Sequence, residues 1–216
     1  MLAAWLAQAF AASNPLDADA VSYLDIAGSC LFGNWQALVH GYWSPGYPFL
    51  LALWLRLFQV SPYHEPLAVH MLTVVSLMVA LASFEFFLSA YFDAEKKLRE
   101  DLVTGQKGFL AEKDLRLLGY ALFFWITTFL TPPYLEQPDT LVFILYLIAA
   151  GLCLRLVSSN KEWWRFALLG GALGTAYLVK VVMFPLAFTF IVALLLRKEW
   201  KRTLPGVALT AIVFAQ

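Results

Sequence analysis

Apolar residues in this chain come in long runs rather than in alternation. They occupy 1–12, 47–60, 67–92, 117–131, 140–156, 166–196 and 203 to the last residue, and no short repeat links them. Runs at this density predict helices that cross a bilayer, which needs about 20 residues per crossing. The run at 166–196 is too long for one crossing: as a single helix it would reach about 46 Å against a core of about 30 Å. It predicts a hairpin of two short helices that breaks near Lys180 and Pro185. The first run, MLAAWLAQAFAA, is short for a crossing and lacks the basic start of a signal peptide. The last breaks off inside an apolar segment, which predicts an N-terminal portion of a longer membrane protein.

Two segments are amphipathic rather than fully apolar. YPFLLALWLRLFQV (47–60) carries Pro48 near its start and Arg56 within it. It predicts a helix lying in the interface plane with Trp54 at headgroup level. DAVSYLDIAGSCLF (19–32) predicts a second such helix, with Asp19 near its N-terminus where an acid is favoured. The segment 93–116 holds six acidic and six basic residues. Leu98, Leu102, Phe109, Leu110 and Leu115 give it a broken apolar stripe, which suits either one or two amphipathic helices or a solvated loop.

Composition agrees with the runs. Of 216 residues 61% are hydrophobic and 14% charged, with a mean hydropathy of +0.71, well outside the range of soluble domains. The expected class is an all-α, polytopic membrane bundle. A net charge of zero gives no reason to expect a nucleic-acid partner. Cys30 and Cys153 have no metal-ligand spacing and read as structural thiols.

The placement of charge sets an expected topology. Lys and Arg cluster at 96–116, 155–165 and 197–202, which together hold 13 of the 15. The positive-inside rule puts all three clusters in the cytoplasm. The 93–116 loop is then cytoplasmic, whereas 13–66, 131–139 and Lys180 face outside, toward the periplasm if the membrane is a bacterial inner membrane. These outer segments carry Asp17, Asp19, Asp25, Glu65, Glu136 and Asp139 against Arg56 and Lys180. Carboxylates beside a hydrocarbon phase are costly unless water, a metal or a substrate solvates them. An outer, acidic, aromatic-rich reactive loop is the expectation.

Several of these outer residues carry a family resemblance. DAVSYLDIA (19–27), Gly33, GYWSPGYPFLLAL (41–53), the Pro138–Asp139 pair opening a helix, and GTAYLVK (174–180) occur in this order. Together they resemble the GT-C glycosyltransferases, the polyprenyl-phosphate-sugar transferases that include protein O-mannosyltransferases and the lipid A aminoarabinose transferase. The likeness spans the whole chain as the first half of a typical member, and the wording is nearest to bacterial members. Many members carry adjacent acids in the first loop; here Asp17 and Asp19 are spaced, and Asp19 matches as the acid four residues before Tyr23. The resemblance implies transfer from a polyprenyl-phosphate-linked sugar donor to a lipid, glycan or protein acceptor at the outer face.

Such a transfer is a displacement at an anomeric carbon. The acceptor hydroxyl needs a base, and the phosphate leaving group needs cations more than a proton. Asp19 is the candidate base; the alternative is that it caps the helix at 20–32. Lys180 is the candidate phosphate ligand; the alternative is a snorkelling cation. Asp139 is either an N-cap or a second acid of the site, and Glu136 stands three residues before it. Tyr23, His40, Tyr42 and Tyr47, with Trp43, would stack on a sugar ring or form an interfacial aromatic belt. A divalent ion such as Mg or Mn, if one takes part, would fall to Asp19 and Asp139. His64, Glu65 and His70 do not match a compact helical metal motif, and Glu85 lies in a crossing with no assigned role. A lipid-linked sugar transporter and a non-catalytic subunit of a glycosylation complex are the competing expectations.

Overall fold

The computed structural model describes residues 1–12, 18–101, 111–134, 138–158 and 163–195. In these residues the fold is all-α. Eight helices follow one another: α1 (Leu2–Ala11), α2 (Ala18–Leu31), α3 (Gly46–Leu57), α4 (Glu65–Asp101), α5 (Glu112–Trp125), α6 (Asp139–Ser158), α7 (Trp163–Val179) and α8 (Met183–Leu195). Helices α4 and α6 are long and apolar enough to cross a membrane.

The long helices form an up-and-down bundle whose direction can be read from side-chain levels. Leu141 packs with the cluster of Val69 and Leu72, Ile144 with Val74 and Leu77, and Gly151 against Phe86 and Phe87, so α4 and α6 run parallel. Helix α5 returns antiparallel to α4, with Gly119 beside Phe84 and Phe123 in the layer of Leu77 and Ile144. Helix α7 runs antiparallel to α6, and its Phe166, Leu169 and Leu173 share one buried cluster with Ala149, Leu152 and Leu156. Helix α1 packs its Trp5 and Ala9 into the Val74–Ala80 layer.

One end of the bundle therefore gathers the starts of α4, α6 and α8 and the end of α7. Helices α2 and α3 cap this end. Their inner faces repeat at helical spacing: Tyr23, Ala27 and Cys30 from α2, and Tyr47, Leu51 and Leu55 from α3, over Val69 and Leu72 of α4. Fully buried leucines such as Leu51 contribute about 1.5–3 kcal/mol each by leaving water. The Trp54 indole N–H donates to the Ala68 carbonyl at 2.9 Å and ties α3 to α4. The outward face of α3 remains apolar, with Phe49, Leu53 and Leu57 all exposed.

Both capping helices stop in the same way. At α2, Gly33 N–H bonds the Cys30 carbonyl and Asn34 N–H the Ser29 carbonyl, with Gly33 at φ +89. At α3, Gln59 N–H bonds Arg56 and Val60 N–H bonds Leu55, with Gln59 at φ +48. These are Schellman motifs, which need a left-handed residue after the C-cap. Glycine takes that conformation freely, whereas glutamine is strained there.

Two expectations change in detail. The 93–116 segment begins as helix: α4 continues unbroken through Arg99, where Leu98 is exposed, and α5 starts at Glu112. Residues 102–110, with Leu102, Phe109 and Leu110, lie outside the described residues. The predicted hairpin is present, but its break is the turn at 180–182. Pro185 sits in the first turn of α8, where a missing N–H costs nothing.

Candidate functional site

The Asp139 and Lys180 side chains meet at the capped end. Lys180 Nζ donates to Asp139 Oδ1 at 2.6 Å, with both side chains about two-fifths exposed, at 42% and 40%. The local reasons are opposite helix ends. Val142 N–H bonds the Pro138 carbonyl, so Pro138 is the N-cap and Asp139 the first helical residue of α6. Lys180 N–H bonds the Ala176 carbonyl, which puts Lys180 at the end of α7. An acid at a helix N-terminus and a base at a C-terminus each complement the helix dipole. Antiparallel α6 and α7 then bring the two charges together. Asp139 is thus not the N-cap residue of α6 but the acid paired with Lys180.

The pair is one-to-one. Lys180 has three ammonium donors, and among the described residues one is engaged, by a single oxygen of Asp139. At this exposure such a bridge contributes on the order of 0.2–1 kcal/mol. It is weak enough for a more highly charged ligand to compete for the ammonium.

An aromatic ladder stands next to this pair. Tyr42 packs edge-on against Trp43 at 4.7 Å, Trp43 against Tyr23 at 4.7 Å, and Tyr23 against Tyr47 at 4.9 Å. Tyr23 and Tyr47 are buried, whereas Tyr42 is 78% exposed at the outer rung. His40 organises the loop below it: Nδ1 accepts from the N–H groups of Tyr42 at 3.1 Å and Trp43 at 3.3 Å. Of the predicted aromatic contacts, Tyr42 and His40 are exposed, whereas Tyr23 and Tyr47 are buried beneath them.

Gly46 links the ladder to the ion pair. It opens α3, and a Cβ there would lie 2.9 Å from the Leu178 carbonyl oxygen and 3.0 Å from Val179. The α3 backbone thus rests on the last turn of α7, one residue before Lys180. The sequence showed Gly46 inside GYWSPGYP, but the need for a missing side chain is visible only in the packing.

Asp19 stands apart. Helix α2 begins at Ala18, so Asp19 lies inside the first turn and does not cap a helix at 20–32. It is exposed, one turn before Tyr23, and makes no side-chain hydrogen bond or ion pair with any described residue. Asp17 and Glu136 fall outside the described residues. Beneath Asp19 on the same helix, burial pushes the Cys30 thiol above its ordinary range, which keeps it protonated and unreactive at neutral pH.

Among the described residues the donor set does not suit a divalent ion. Asp139 turns to the Lys180 ammonium, and no group of three or more His, Cys, Asp or Glu that could hold a metal occurs among the described residues. The histidines separate: His64 bonds Ser61 at 2.9 Å, while buried His70 faces the Ala9 carbonyl of α1 at 3.2 Å. No step below uses a metal.

The opposite end of the bundle holds charges that the sequence left unassigned. Arg116 donates to Glu85 at 2.9 Å and to Glu112 at 3.0 Å, and lies over the Phe92 ring at 4.7 Å. Tyr120 donates to the other oxygen of Glu85. Glu85 is thus answered from α5. No protein-family model, curated protein or solved structure matches this chain.

Proposed function

We propose that the chain is a GT-C type membrane glycosyltransferase, which moves a sugar from a polyprenyl-phosphate donor to an acceptor at the outer membrane face. The observation that carries this reading is the Asp139–Lys180 pair beside the aromatic ladder, with two ammonium donors that no other described residue takes. A bilayer setting is supported by exposed apolar stripes. Leu118, Leu122, Trp125 and Phe129 lie along α5 and its continuation, and Phe184, Phe188 and Val192 along α8. Stripes of this kind suit lipid contact far better than water. From Glu65 to Glu85 helix α4 rises about 30 Å, the thickness of a hydrocarbon core, so both carboxylates fall at its edges. The apolar outer face of α3 suits a helix lying in the interface.

In the reaction Asp19 takes the proton of the acceptor hydroxyl. The acceptor oxygen bonds to the anomeric carbon from the face opposite the phosphate, and the carbon–oxygen bond to phosphate breaks with inversion. Polyprenyl phosphate leaves with one more negative charge. Lys180 turns its unused donors toward that charge, and the leaving phosphate competes with Asp139 for the ammonium. While the site is empty, Asp139 keeps Lys180 compensated and in place. The ion pair sits at one end of the bundle and not at mid-depth, which favours an enzyme over a transporter.

The test is binding of undecaprenyl phosphate to the full-length protein in detergent. Lys180→Gln is expected to weaken binding about tenfold, the value of one charge-assisted hydrogen bond, and Lys180→Arg to retain most of it. Unchanged affinity in Lys180→Gln would reduce this residue to a snorkelling cation and remove the main support for the proposal.

A further inference from the structure

The cap carries apolar side chains that its own fold leaves uncovered. Phe32 is 94% exposed and Val39 90%, and both stand on hydrogen-bonded backbone. The Phe32 N–H bonds the Gly28 carbonyl at 3.2 Å, and the Val39 N–H bonds the Gln36 carbonyl at 3.0 Å. Between them the turn Trp35–Leu38 lies against α3, with the Trp35 ring 6.3 Å from that of Phe49. Phe49 opens a stripe of exposed residues at helical spacing, followed by Leu53 and Leu57. Turn and helix thus share one apolar surface. It is also uncharged: residues 26–55 hold no Asp, Glu, Lys or Arg. Asp25 bounds this stretch on one side and Arg56 on the other, and both are exposed. A contiguous apolar surface on ordered backbone marks an interaction site.

We infer that this surface inserts into the membrane leaflet at the capped end, with Phe32 and Val39 as wedges below the headgroups. Three observations select a lipid surface as the partner. First, side chains as exposed as Phe32 and Val39 touch almost nothing of their own protein and project as knobs. Fluid hydrocarbon accepts a knob of any shape, whereas a protein partner needs a matching pocket. Second, the charge pattern is that of an interfacial segment. Charge is costly to immerse, and none occurs until Arg56 in the last turn of α3, where a long stem lets the guanidinium reach the headgroups. Third, the level fits. Gly46 rests on the last turn of α7, and in the turn just after it Val181 and Val182 are exposed as well. The apolar surface therefore continues from the bundle end onto the cap. The inference rests on the bilayer setting proposed above and not on sugar transfer.

The test uses the full-length protein in phosphatidylcholine nanodiscs, where both faces meet the buffer. An environment-sensitive fluorescent amino acid is placed in turn at positions 32, 39, 25 and 122. Position 25, natively an exposed acid, reports water; position 122, on the exposed α5 stripe, reports lipid. Nitroxide-labelled phosphatidylcholine quenches a probe in the leaflet, and iodide quenches one in water. Probes at 32 and 39 are expected to behave as position 122 does, with blue-shifted emission, quenching by the nitroxide lipid and protection from iodide. Val39→Asp should shift the probe at 32 toward the behaviour of position 25, because a charge is expelled from the leaflet, whereas Val39→Leu should leave it unaltered. Iodide quenching at 32 and 39, with lipid quenching at 122, overturns the inference and leaves the bilayer setting intact. Protection of 32 and 39 from both quenchers also overturns it, because a protein surface then covers them, either a second copy or a further part of this chain. Iodide quenching at 122 overturns the bilayer setting along with the inference.

Discussion

The two ends of the bundle hold their charges in different ways. At the far end Arg116 bonds two carboxylates, Glu85 and Glu112, and lies over the Phe92 ring, and Glu85 is bonded by both Arg116 and Tyr120. Such a network ties α4 to α5 through two side chains at once. At the near end Lys180 meets Asp139 through one bond between helix termini, and Asp19 has no side-chain partner among the described residues. A network of charges holds helix to helix even where its members are partly exposed, whereas a one-to-one bridge is more readily displaced, which is what the proposed role of Lys180 needs.

The largest expected effect is at Asp19. If it is the base, Asp19→Asn in the full-length protein should lower sugar transfer from a polyprenyl-phosphate donor by about 10²–10⁴-fold, with little change in thermal stability. Normal transfer in Asp19→Asn together with loss in Asp139→Asn would move the base to the other acid. The contrast between the ends would then survive, but the roles within the near end would not.

Gly46→Val comes next, because it strikes the contact that joins the aromatic ladder to Lys180. The new side chain would meet backbone that cannot move aside. Overpacking of this kind costs about 1–3 kcal/mol, visible as a lower unfolding temperature in detergent and weaker undecaprenyl phosphate binding. A fully stable, normally binding Gly46→Val protein would separate the ladder from the ion pair.

Arg116→Met tests the far end from the other side. It removes the partner of Glu112 and leaves Glu85 to Tyr120, and the pairs are partly exposed, so a loss of about 1 kcal/mol is expected. Phosphate binding at the near end should be unaltered. A variant that lost binding but not stability would reverse the comparison. The smallest effect is at the cap of α3: Gln59→Gly should stabilise by up to about 1 kcal/mol, since it relieves a left-handed glutamine, whereas Gly33→Ala should cost a similar amount.

Much of the helical layout was legible. Apolar runs gave α4, α5, α6 and the α7–α8 hairpin, and the amphipathic pattern gave α2 to within one residue and α3 to within three. The continuation of α4 through Arg99 was not legible, because alternating charges at 93–101 suit a solvated helix and a loop equally well. Asp139 and Lys180 were each recognisable as a charge at an apolar boundary. That they touch across 41 positions was not, nor was the role of Gly46.

By itself, then, the sequence determined the elements of this protein: which stretches are helical, where they break, and which charges stand at their ends. Those properties follow from hydrophobic runs and helix-end chemistry, which act over a few turns of chain. Only the tertiary structure decided the partners. It set α6 antiparallel to α7 so that Lys180 meets Asp139, rested Gly46 on the end of α7, and paired Arg116 with Glu85. Such contacts depend on how helix faces pack, and packing is fixed by side-chain shape across the bundle and not by spacing along the chain.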